Sequence, residues 1–116
     1  MTRWLTTGIL ASVLCGCQSG AGPSQDRDPY LAMDTLLVAN ACSNCHATDY
    51  QRVGPSMRDV AAAVDDRQRL AGSILNGRKE GWGTAIMPPQ HQVNKEQAGA
   101  LAEAILALKS AQPRKE

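Results

Sequence analysis

One run of five residues, Cys42-Ser43-Asn44-Cys45-His46, restricts this chain more than anything else in it. In an exported protein, C-x-x-C-H is the attachment signature for c-type haem. Two thiols three positions apart reach the two vinyl groups on one edge of the porphyrin and form thioethers. The adjacent histidine then falls beneath the iron as an axial ligand. Other uses of the motif fit less well. A thioredoxin-like pair needs a surrounding β-α-β pattern, and the sequence offers no convincing strand. A zinc site wants a second ligand pair at similar spacing, and the remaining cysteines, Cys15 and Cys17, stand in a different kind of segment. A disulfide between Cys42 and Cys45 leaves His46 unexplained.

That other segment is the N-terminus. Arg3, the mostly apolar run Trp4 to Leu14 and the small residues after it resemble an export signal over residues 1–17. The run is shorter than the roughly 20 apolar residues that a membrane span needs. Leu14-Cys15-Gly16-Cys17 resembles a bacterial lipobox, which implies that Cys17 is acylated and becomes the mature N-terminus. Cys15 at the second lipobox position departs from the usual pattern, and ordinary secretory cleavage is the alternative. Gln18 after the cysteine resembles the pattern sent to the outer membrane. Residues 18–28, QSGAGPSQDRD, hold almost nothing to bury and read as a flexible tether.

The folded unit is then 29–111, one domain followed by the polar tail 112–116. Without Arg3 the twelve basic residues become eleven, against eleven acidic ones. This balance gives no basic stripe for nucleic acid. Phenylalanine is absent, and the domain's aromatics are Tyr30, Tyr50 and Trp82. A domain this small and this poor in aromatics needs a further filler for its core, which a large bound cofactor supplies.

The spacing predicts an all-α fold. Met33, Leu36, Leu37, Asn40 and Ala41 recur at three and four, in a helix that starts near Pro29 and stops at the cysteine motif. Ser56 offers a cap for a short helix through Val64. Asp66 caps another that buries Leu70, Ile74 and Leu75 and stops at Gly77. Asn94 with Gln97 opens the last helix, whose stripe of Ala98, Leu101, Ala102, Ile105 and Leu108 faces a core. The first and last helices are expected to cross, with small residues such as Ala102 and Ala104 permitting close approach.

The segments CSNCHA, VGPSMRDVAAAV, ILNGRKEGWG, MPP and LAEAILALK occur in that order between Tyr30 and Ser110. Together they resemble the short bacterial class I cytochromes c, the monohaem c551/c552 type found as electron shuttles in respiratory chains. The resemblance implies the class I fold around one covalent haem c held by Cys42 and Cys45, with His46 as proximal ligand. It implies that the Pro55 carbonyl accepts a hydrogen bond from the outer His46 nitrogen and fixes its tautomer. It also implies that Trp82 donates its indole N–H to a haem propionate. Ser73 departs from relatives that carry a basic residue there. Leu37 and Ala104 replace aromatic residues often found at the helix crossing.

For the sixth ligand the residues leave two candidates, Met87 and His91, on either side of Pro88 and Pro89. Met57 lies too close to the proximal loop and Met33 belongs to the first helix. Met87 follows His46 by 41 residues, enough for the chain to pass over the haem. The prolines stiffen the loop. The resemblance selects Met87 and implies that the Gln90 amide can hydrogen-bond its sulfur. A thioether ligand raises the potential, and axial ligation sets haem potentials over roughly 0.8 V.

With both axial positions filled, the expected function is one-electron transfer and not enzymatic. The partners are then a reductase, oxidase or dehydrogenase docking transiently on a monomer, with no nucleic acid. The expected location is the periplasm, tethered to the outer membrane through Cys17 or soluble. Two alternatives stay open. One is a haem enzyme or gas-binding sensor with a displaceable Met87, assisted by His91 or Arg78. The other is a small haem subunit of a larger redox complex.

Overall fold

The computed structural model describes residues 28–115. The expected signal and Cys17, and the expected tether except for Asp28, lie outside the described residues. Asp28 belongs to the fold: its carboxylate accepts the Tyr30 N–H at 2.9 Å and caps α1, Pro29–Ala39. Pro29 sits in the first turn, where a missing N–H costs no hydrogen bond. Tyr30, Met33 and Leu37, spaced by three and four, form the buried face of α1. Asn40 closes the helix, and Ala41 takes a left-handed conformation (φ 58°) that turns the chain into a single 3-10 turn, Cys42–Asn44.

The remaining helices begin at side-chain caps, which satisfy N–H groups that have no partner within a helix. Ser56 Oγ accepts from Asp59 N at 3.0 Å and opens α2, Met57–Ala63. One Asp66 carboxylate oxygen accepts from Gln68 N and Arg69 N and opens α3, Arg67–Asn76. Asn94 and Gln97 cap each other's backbone at 2.8 and 2.9 Å at the start of α4, Lys95–Ala107. Gly77, with φ 74°, ends α3.

Ala98, Leu101, Ala102, Ile105 and Leu108 are all buried, and they share one core with Met33, Leu37, Val60, Leu70 and Ile74. Ala98 and Ala102 are fully buried, so the face of α4 that other helices meet is built partly from methyl groups. The expected contact between α1 and α4 is present. The larger contact of α4 is with α3, which periodicity within each helix does not show. The described residues contain no strand, only an isolated antiparallel bridge between Arg78 and Met87. The arrangement is all-α, as expected, and the long loops between its helices enclose a cleft. No described helix is long and apolar enough to cross a membrane.

Candidate haem site

The cleft begins where α1 ends. The turn at Ala41 brings Cys42 half under the surface and leaves Cys45 exposed. Burial, and then the neighbouring Cys45, push the Cys42 thiol above its ordinary pKa. His46 N donates to Cys42 O at 2.9 Å, so the histidine is fixed directly to the turn that carries the thiols.

The His46 ring is held on its outer side. Nδ1 lies 2.8 Å from Pro55 O. A carbonyl only accepts, so Nδ1 carries the proton and Nε2 keeps its lone pair for a metal. Gly54 makes that approach possible. A β-carbon there would lie 2.4 Å from His46 Cε1 and 2.8 Å from Nδ1. Gly54 N also donates to Cys45 O at 2.8 Å, and Met57 N and Arg58 N donate to Ala47 O and Thr48 O at 3.0 Å. The ligand loop is thus stitched to the start of α2.

The second wall is the loop between α3 and α4. Arg78 and Met87 exchange both backbone hydrogen bonds, at 2.8 and 2.9 Å. Gln90 N donates to Ile74 O at 3.1 Å. Gly77 is needed twice over here. Its φ is 74°, and a β-carbon would lie 2.4 Å from Met87 O. Met87 is half-buried and faces the cleft, together with Pro88 and Gln90. The Gln90 amide nitrogen donates to Pro88 O at 2.7 Å. Trp82 also lines the cleft and is half-buried. His91 is exposed and is not part of the lining. Met57 does line it, but its backbone is bonded to the residue after His46, so it belongs to the proximal wall.

Between these walls lies a cleft of about 320 Å³. Val60, Val64, Leu70, Ile74 and Ile105 make its floor apolar, while Arg78, Glu80 and Ser73 add a few polar groups. Cys42, Cys45, His46 and Met87 all open onto it. An apolar ring with two carboxylate arms, two vinyl groups and a central iron matches this set: oil-like walls, two thiols, one free imidazole nitrogen and a soft sulfur. The residues present fit haem c.

A further group stands behind the proximal loop. Thr48, 1% exposed, donates its hydroxyl to Asp34 at 2.5 Å. Arg114 donates to the other Asp34 oxygen at 2.6 Å, lies 3.8 Å from Asp49 and covers the Tyr30 ring at 5.3 Å. The hydrogen bond to Asp34 leads the causes that raise the Arg114 pKa above its ordinary value. Sequence reasoning placed Arg114 in a polar tail and assigned Asp34 and Thr48 nothing. Gly54 is not singled out in the sequence either, because only the folded chain brings the His46 ring against it.

Comparison with known proteins agrees with this geometry. The cytochrome c family model matches residues 34–109. Cytochrome c-552 of Nitrosomonas europaea is 36% identical over 113 residues, covering 93% of this chain and 98% of that protein. Cytochrome c-551 of Ectopseudomonas mendocina is 41% identical over 80 residues, covering 66% and 96%. The crystal structure of wild-type Nitrosomonas europaea cytochrome c552 superposes with a TM-score of 0.61 at 38% identity, covering 64% of this chain and 96% of that one. The chain therefore belongs to the cytochrome c family, as a short monohaem class I cytochrome c that carries electrons on one haem c bound covalently through Cys42 and Cys45.

Proposed function

We propose that this cytochrome is a one-electron carrier of the periplasm in which His46 and Met87 would be the two residues that hold the haem iron. The observation that carries the ligand set is the shared cleft. The Nδ1–H of His46 is spent on Pro55 O, its Nε2 is free, and Met87 faces the same space while His91 stays in solvent. When bound, the haem supplies an iron that takes up and releases one electron.

The chain's own residues make that exchange reversible. The Pro55 carbonyl keeps the imidazole in one tautomer and orientation, so the ligand does not rearrange between redox states. The Met87 thioether is soft and neutral, which favours the reduced state. Trp82, in the cleft lining, would give its indole N–H to a haem carboxylate, and the second N–H of the Gln90 amide, whose first goes to Pro88 O, would serve the Met87 sulfur. With both His46 and Met87 holding the iron, no site would be open to oxygen or peroxide, and the chemistry supplied would be electron transfer alone.

Exchange with partners takes place at the rim near Cys45. Val53 and Ile86, 62% and 66% exposed, line the cleft and leave apolar surface open to solvent. Gly81, Gly83, Ala85 and Pro89 keep neighbouring side chains small. Such a surface suits the brief contacts of redox proteins, which bury less than about 1,200 Å². The partners are reductases, oxidases or dehydrogenases, met by a monomer. Acylation of Cys17 would hold the carrier at the outer membrane, and Cys17→Ala would then release it from the membrane fraction.

The ferric visible spectrum tests the ligand set. The wild type and His91→Ala are expected to show the red sulfur-to-iron charge-transfer band, and Met87→Ala to lose it. A band that survives in Met87→Ala, or vanishes in His91→Ala, contradicts the assignment.

A further inference from the structure

Two glutamine side chains tie the segment after Met87 to the end of α1. Gln90 donates from Nε2 to Pro88 O at 2.7 Å, and its Oε1 accepts from Gln92 Nε2 at 2.8 Å. Gln92 Nε2 also donates to Asn40 O at 3.2 Å, a bond spanning 52 residues. A side-chain amide nitrogen carries two N–H groups, and here each has its own acceptor. Asn40 is the residue that closes α1, two positions before Cys42. A relay therefore runs from the residue after Met87 to the end of the helix that carries the haem attachment turn.

The other ties of this loop lead elsewhere. The Arg78 bridge and the Gln90 N–H fasten it to the end of α3. Among the described residues, the Gln92 bond is the one hydrogen bond from residues 88–93 to residues 40–46. Its acceptor has an incentive to keep it. Asn40 O lies at a helix C-terminus, where carbonyls lack intrahelical donors. The Cys42 thiol also approaches that oxygen, at 3.5 Å. Thioether formation moves the Cys42 S–H hydrogen onto the vinyl carbon. In the haem-bound protein, Gln92 is then the side-chain donor left to Asn40 O.

We infer that Gln92 is a positioning residue for the methionine ligand: its amide straps the Met87 loop to the attachment end of α1 and limits how often the sulfur leaves the iron. This rests on Met87 being the axial ligand, and the test separates the two statements. The ferric holo protein is first examined for the red charge-transfer band, whose absence in the wild type refutes the ligation itself. With the band present, imidazole titration of the ferric protein measures how readily the sulfur is displaced.

Gln92→Leu keeps bulk but removes both N–H groups, and Gln92→Ala removes the side chain. Both are expected to bind imidazole about five-fold more tightly, the size of one net hydrogen bond. Without imidazole, the band is expected to stay in place. Asp66→Ala, which removes the cap at the start of α3, serves as the control for general loss of stability. It is expected to lower the unfolding midpoint and leave imidazole affinity unchanged. Unchanged affinity in both Gln92 variants overturns the inference. So does a change in Gln92→Ala alone, which would assign the effect to packing. An equal change in Asp66→Ala overturns it too, since the effect would then follow global stability.

Discussion

At the scale of single residues, the ligand geometry depends on what is missing from Gly54. The His46 ring fills the space a side chain would need, and the Pro55 carbonyl keeps the ring there. Gly54→Ala must push a rigid imidazole away from its acceptor. The expected loss of stability is about 1–3 kcal/mol, as for overpacked cores, measured by guanidinium unfolding of the holo protein. Ala41 is the opposite case: a β-carbon sits in a left-handed conformation, at φ 58°. That conformation costs an L-residue roughly 1 kcal/mol, while glycine adds freedom to the unfolded chain. Ala41→Gly is expected to raise stability by about 0.5 kcal/mol in the same assay. Neither constraint was legible in the sequence. A glycine's letter does not show which side chain will occupy its empty space, and Ala41 reads as an ordinary helix residue.

At the scale of elements, much more was legible, because caps and periodicity are local. Ser56, Asp66 and the Asn94–Gln97 pair each lie within three residues of the N–H groups they serve, and all three caps form as expected. The buried stripe of α4 likewise follows from spacing alone. The Asp34–Thr48–Arg114 group did not declare itself, since its members come from α1, the proximal loop and the tail and share no period. It links the ligand loop to α1. Thr48→Val removes the buried hydroxyl and leaves an Asp34 oxygen without that donor. The expected cost is about 1–3 kcal/mol, read as a lower guanidinium midpoint. Unchanged stability would mean that the group does not hold the loop.

For the whole molecule, the attachment motif and the order of the flanking segments were sufficient to indicate one small helical domain built around haem. The aromatic-poor core is consistent with this, because the apolar floor of the cleft suits a large ring. What the sequence could not supply was the α3–α4 contact, which depends on how separate stripes meet in space. Acidic and basic residues nearly balance. Electrostatic steering is therefore weak, and added salt is expected to change the rate of electron exchange with a redox partner by less than about threefold across a tenfold range of ionic strength. A steep fall would reveal a charged docking face. If His46 and Met87 together hold the iron, the molecule is a carrier with no position open to a gas. Carbon monoxide added to the reduced holo protein at neutral pH is then expected to leave the ferrous spectrum unchanged, and formation of a carbon monoxide complex would overturn this ligand pair.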